Sequence, residues 1–153
     1  MVDTSREHNS IKAASVREVT MKDLVLDGTL QIGIDEIDDD HKKLVNLFNI
    51  LNHSLTEGAT TDYVEAVLEE LINCTVWHFS HEERLMLKYG SDRYGDHKAE
   101  HQDLIESARG LQQKFIQNGR LNENEDLEFL ERWLTEHILV ADLRLGTFLI
   151  DEM

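Results

Sequence analysis

Four stretches of this chain repeat apolar residues at three- and four-residue spacing, and no stretch shows the period of two that a strand needs. The first runs through Ile37, His41, Leu44, Phe48, Leu51 and Leu55, with Asp38 as its expected N-cap and Gly58 as its stop. The second takes Val64, Val67, Leu71, Cys74, His78, Glu82 and Leu85, capped by Thr61 or Asp62 and ended before Gly90. The third takes His97, His101, Leu104, Ala108, Leu111 and Phe115 and ends near Gly119. The fourth takes Leu127, Leu130, Leu134, His137, Ile138 and Ala141 and continues to about Leu149. No proline interrupts them. The connections are short, so neighbouring helices should be antiparallel. The expected fold is all-α: an up-down-up-down antiparallel four-helix bundle over residues 21–153, behind a polar N-terminal arm of residues 1–20. Residues 21–37 read as an extended or looping lead-in.

Each helix carries ionisable residues where its core stripe should be apolar. Burying such groups is costly unless they are paired or bind metal. Their levels in an up-down bundle follow from distance to the turns. His41 and His78 are equidistant from the turn at Gly58–Thr61. The pairs Glu82 with His97 and His78 with His101 are equidistant from Gly90, and His101 with His137 and His97 with Asp142 from Gly119, to within a residue. At ~1.5 Å rise per residue, all seven side chains fall in one layer to within a helical turn. His78 with Glu82 and His97 with His101 are i,i+4 pairs that share a face. His137 and Asp142 are five apart, which leaves them ~140° apart on an ideal helix. A widened or π-type turn is therefore expected near residues 137–142.

Five imidazoles and two carboxylates are too many ligands for one zinc ion. They suit two metals bridged by two carboxylates. Nitrogen and oxygen donors without thiolate allow iron, manganese or zinc.

Composition excludes several other classes. A net charge of -16 over 153 residues disfavours nucleic acid and anionic lipid as partners. With 41% hydrophobic and 30% charged residues the chain is expected to fold as one globular domain. Cys74 is the single cysteine, so no internal disulfide can form. No apolar run approaches the ~18 residues of a membrane span, and residues 1–20 do not read as a secretory signal. The expected location is the cytoplasm, with no membrane partner.

The pattern H…H-x-x-x-E…H-x-x-x-H…H-x-x-x-x-D, with "GIDEIDDDHKKL" and "HFSHEERLM" around it, resembles the hemerythrin family and its bacterial branch, the bacteriohemerythrins. The resemblance covers about residues 26–148. It implies a bundle holding two iron ions in a non-haem centre with an oxo or hydroxo bridge. By that resemblance His97, His101 and His137 would bind one iron, His41 and His78 the other, and Glu82 and Asp142 would bridge both. The first iron would be six-coordinate, and the second five-coordinate with one open position. The implied activity is reversible O2 binding for storage, delivery or scavenging, without catalytic residues and so not an enzyme. Two carboxylates among five imidazoles fit that better than substrate oxidation, which suits sites of four or more acids. The alternatives are a di-iron enzyme reducing nitric oxide or peroxide, and an O2 or iron sensor acting on an unidentified protein partner through the arm. Oligomeric state stays open. The chain departs from the family in two places: Leu26 stands where an aromatic residue is common, and the arm is long.

The stretch "HKAEH" (residues 97–101) also matches the H-x-x-E-H pattern of a zinc peptidase. That reading needs Glu100 aimed at a zinc-bound water, but Glu100 lies ~100° round the helix from His101 and reads as a solvated acid. Phe48, Leu104, Ile138 and Trp77 are candidate liners of a ligand pocket. His81 is expected at the surface or just outside the ligand layer, His53 on the surface and His8 in the arm. Cys74 reads as a small core residue.

Overall fold

The computed structural model describes residues 31–121 and 125–153. The expected arm, with His8, and the part of the lead-in holding Leu26 lie outside the described residues. Among the described residues four helical rods form a bundle and no strand is present. They are α1 (Asp35–Thr56), α2 (Thr61–Tyr89), α3 (Tyr94–Asn118) and α4. α4 has three parts: an α-helix at Glu125–Glu136, a π-helical turn at His137–Asp142 and an α-helix at Leu143–Glu152. The π turn stands where the five-residue spacing requires it.

Helix ends differ from the expected ones by one to four residues, for local reasons. α1 starts before Asp38, with Ile34 at its N-cap position. Asp38 sits inside the first turn, and its carboxylate accepts the backbone N–H of Ile32 at 2.8 Å and of Gly33 at 3.2 Å. It therefore ties down the strand of chain entering the helix instead of capping it. Thr60, one residue before the expected cap, accepts from the Tyr63 N–H at 3.3 Å. α2 and α3 each stop at a left-handed glycine, Gly90 at φ 70° and Gly119 at φ 69°. Other residue types rarely take up that conformation.

Contacts between neighbours run in opposite directions along the chain, as an antiparallel bundle requires. Along α2 and α3, Glu69 meets Gln112 and Glu83 meets His101. Along α3 and α4, Leu104 accepts from the Trp133 indole at 2.8 Å and Lys114 reaches Asp126 at 3.1 Å. The chain entering α1 crosses α4 at Gly146, where a Cβ would stand 2.6 Å from the Ile32 carbonyl oxygen. A hydrophobic core lies on both sides of the ionisable layer. Phe48, Leu51, Leu68, Phe115, Leu127 and Leu130 fill one side, and Ile37, Met86, Leu145 and Leu149 the other. Among the described residues no helix is long and apolar enough to cross a membrane.

Candidate metal centre

Every helix sends donors into one buried layer: His41 from α1, His78 and Glu82 from α2, His97 and His101 from α3, His137 and Asp142 from α4. All seven are buried, with His97 the most exposed at 7%. Ordinary helical pitch aligns the i,i+4 pairs on α2 and α3. On α4 the π turn aligns a pair five apart, and Nε2 of His137 stands 2.8 Å from Oδ1 of Asp142.

The two carboxylates divide their oxygens. Oδ2 of Asp142 lies 2.9 Å from Nε2 of His41 and 3.9 Å from Nε2 of His78. Its Oδ1 lies 2.8 Å from Nε2 of His137 and 3.4 Å from Nε2 of His97. Glu82 does the same. Its Oε1 faces His78, in close contact, and His41 at 3.8 Å, while Oε2 faces His97 at 2.8 Å and His101 at 3.5 Å. Two donor groups result. One joins Glu82, Asp142, His97, His101 and His137, and the other joins Glu82, Asp142, His41 and His78. Within each group the donor atoms lie within 4.8 Å of one another.

Three further acids, none of them singled out in the sequence as part of the site, hold the outer ring nitrogens. Asp40 of α1 takes Nδ1 of His78 on α2 at 2.9 Å, Glu83 of α2 takes Nδ1 of His101 on α3 at 3.0 Å, and Glu100 of α3 takes Nδ1 of His137 on α4 at 3.1 Å. Each acid is the chain neighbour of a residue in the layer. A step of one residue turns ~100° round the helix, from the bundle axis toward the next helix at the same level. Glu100 is exposed, in keeping with its reading as a solvated acid, but one of its oxygens also engages His137. In the fourth place, next to His137, stands Ile138, and Nδ1 of His41 is buried without a hydrogen-bond partner. An Nδ1–H held by a carboxylate leaves Nε2 as the lone-pair atom, aimed inward. Phe79 fixes one ring further, stacking on His101 at 3.8 Å between centroids and 2° between planes.

This arrangement fits cations. With Nδ1–H donated outward, neutral His101 and His137 would face each other through two lone pairs 3.2 Å apart. A proton or a metal ion between them relieves that repulsion. Nε2 of His78, Oε1 of Glu82 and Oδ1 of Asp142 are buried and lack a hydrogen bond of good geometry, although oppositely charged atoms are close by. Without metal the layer must hold protons instead. Burial opposes charge on His137, but Asp142 beside it outweighs burial and pushes the ring up to about 10. Burial opposes charge on His97 as well, and hydrogen bonds to Asp142 and Glu82 push it up to about 9. Burial alone would raise Glu82 and Asp142, yet the imidazoles around them hold both well below the usual carboxylate range. Bound metal would displace those protons.

A small cavity of about 10 Å³ touches His41, His78, His137 and Asp142. Leu44, Thr75, Phe79, Trp133, Leu134 and Ile138 complete its wall. The Thr75 hydroxyl donates to the Leu71 carbonyl at 2.7 Å, and the Trp133 N–H is taken by Leu104. The expected liner Ile138 is present. Phe48 and Leu104 do not line it, and Trp77 is 59% exposed on the outside of α2. Periodicity places a residue on a stripe but does not say which neighbouring helix it meets. Cys74 is only partly buried, and His53 is exposed. His81 is buried just outside the layer, 2.6 Å from Asp40.

Comparison with known proteins agrees with this chemistry. The hemerythrin HHE cation binding domain matches residues 32–149. The bacteriohemerythrin of Pseudomonas paraeruginosa is 35% identical over 118 residues, 77% of this chain and 76% of that one. The bacteriohemerythrin of Methylococcus capsulatus is 34% identical over 110 residues, 71% of this chain and 82% of that one. A crystal structure of wild-type hemerythrin matches with a TM-score of 0.69 at 31% identity, covering 80% of this chain and 91% of that one.

Proposed function

Because this chain belongs to the hemerythrin family, we propose that its buried layer holds two iron ions joined by an oxo or hydroxo bridge and binds O2 reversibly. His97, His101 and His137 would hold one iron, His41 and His78 the other, and Glu82 and Asp142 would bridge both. The observation that carries this reading is the division of oxygens: Glu82 and Asp142 each turn one oxygen to each group of histidines. Loaded with ferrous ions, such a centre supplies the two electrons by which O2 is held and released.

The rest falls to the protein. The His41–His78 group has one imidazole fewer than the other, so the metal held there would be the one with room for a ligand. The cavity adjoins that group, and its size admits about one water-sized molecule. Apart from the layer's own His41, His78, His137 and Asp142, its polar wall residues are Thr75 and Trp133, and both have their hydrogens committed elsewhere. The wall away from the layer therefore offers no free hydrogen-bond donor, which suits a small, weakly polar ligand. The cavity is too small for an organic substrate, which supports a binding protein over an oxygenase. On this reading residues 21–153 form one hemerythrin-like domain with residues 1–20 as its arm. The single, partly buried Cys74 fits a cytoplasmic location.

The test is an absorption spectrum of protein loaded with ferrous iron without air, exposed to O2 and then cleared of it. A visible charge-transfer band that appears with O2 and disappears on its removal supports the proposal. A band that bleaches irreversibly moves the assignment to nitric oxide or peroxide reduction, or to sensing. Retention of zinc or manganese with no O2-dependent band would leave a metal centre with a different function.

A further inference from the structure

Asp40 serves two rings with one oxygen. Its Oδ2 lies 2.9 Å from Nδ1 of His78 and 2.6 Å from Nδ1 of His81. A carboxylate oxygen only accepts, so both ring nitrogens donate to it. Among the described residues, Glu83 and Glu100 each accept from one ring only. His81 itself is held in place: the Trp77 ring lies 5.4 Å from it, and its far nitrogen Nε2 stands 3.7 Å from Glu36. It is not one of the seven donors in the layer.

A carboxylate that accepts Nδ1–H makes Nε2 of the same ring a stronger donor to metal. Charge on Oδ2 that is drawn toward His81 is withdrawn from His78. We propose that His81 is a positioning residue that weakens the Asp40–His78 hydrogen bond, lowers electron donation by His78, and so raises the reduction potential of the iron held by His41 and His78. The effect is confined to that half, because Glu83 and Glu100 serve rings of the other. It favours the ferrous state, which is the one that takes up O2. The inference rests on the di-iron reading for its consequence, and on the geometry alone for the hydrogen bond.

Two substitutions separate the roles by sign. In His81→Phe the acceptor is left wholly to His78, so the midpoint potential of the iron-loaded protein should fall and spontaneous oxidation should quicken. In Asp40→Asn the acceptor is weakened, so the potential should rise and metal should be held about 10–100-fold less tightly. His81→Asn keeps an N–H donor and should stay near the unsubstituted protein. Spectroelectrochemistry gives the potentials. NMR of the Nδ1 proton of His78 in the metal-free protein reads the hydrogen bond directly. That proton should move downfield in His81→Phe, upfield in Asp40→Asn and little in His81→Asn. His81→Leu also removes the donor, with the same shifts expected, and keeps the test open should His81→Phe fold poorly. A His78 proton unmoved in His81→Phe, or moved equally by His81→Asn, overturns the role of His81. Proton shifts as expected in a protein that takes up no pair of irons would leave the hydrogen-bond role standing and overturn both the di-iron reading and the claim on the potential.

Discussion

His137 and Asp142 are five residues apart on one helix, yet Nε2 of His137 lies 2.8 Å from Oδ1 of Asp142. An ideal α-helix would turn them ~140° apart. The π turn at His137–Asp142 absorbs one extra residue and returns both side chains to the same face. Val140, within that turn, is 59% exposed. Deleting Val140 should convert the turn to an ordinary α-helical one and leave the pair at i,i+4 spacing, as in His78 with Glu82. The helix beyond keeps its facing, so Leu145 and Leu149 stay in the core. The variant should retain the metal content of the unsubstituted protein, by elemental analysis, and its helicity by circular dichroism. Loss of metal in a folded variant would show that the wide turn itself, and not only the shared face, is required.

The divided oxygens make a prediction about stoichiometry. Asp142→Asn removes charge from both donor groups at once, so both metals should be lost together. His41→Ala removes a donor from one group and should lower the content by about one metal per chain, with the other site still filled. Elemental analysis after dialysis reads this directly. An Asp142→Asn protein that keeps one full equivalent would show that Asp142 does not serve both groups.

The metal-free protein should have an unusual dependence on pH. His97 and His137 stand at about 9 and about 10 when folded, against about 6.5 unfolded. A raised folded value means that their contribution is complete below about pH 6.5 and is lost as pH rises through 9 and 10. Glu82 and Asp142 are lowered on folding, so theirs is present above about pH 4 and lost as pH falls. The Tm of metal-free protein should therefore be highest near pH 5–6.5 and fall steadily toward pH 10. Metal requires deprotonated rings, so the stabilisation given by added metal should grow over the same range. A metal-free Tm that is flat from pH 6.5 to 10 would contradict the proton-holding layer.

The cavity wall can be opened at one residue. Ile138 is 1% exposed and lines the same cavity as His41, whose outer nitrogen has no hydrogen-bond partner. Ile138→Ala should cost about 2–5 kcal/mol of stability and enlarge the space next to the His41–His78 group. If the centre binds O2 as proposed, entry of water there should shorten the lifetime of that complex. Thermal unfolding and the decay of the O2-dependent band measure the two effects separately. A lifetime unchanged in a destabilised variant would show that this cavity does not shield the ligand.

Much of this protein could be read before any contact was known, and the parts that could not share one physical cause. The seven residues of the layer were legible from spacing to the glycine turns, and the π turn from a count of five between His137 and Asp142. The helix starts were misplaced because Asp38 and Thr60 use similar side-chain chemistry, and only the path of the chain tells a capping contact from a bond to the loop before it. Trp77 was misjudged because its place next to His78 in sequence turns it away from the layer. The partner of the exposed Glu100 is not legible in sequence because His137 is on another helix.

Helical rise and rotation are the same for every residue, so the sequence by itself determined which side chains share a level and a face. It could not determine what each side chain meets across the gap between helices. The rotation of each helix about its axis, and the rotamer each side chain takes against its neighbours, were decided only in the tertiary structure. These set the division of the oxygens of Glu82 and Asp142, the passage of Asp40, Glu83 and Glu100 each to the next helix, and the lone outer nitrogen of His41.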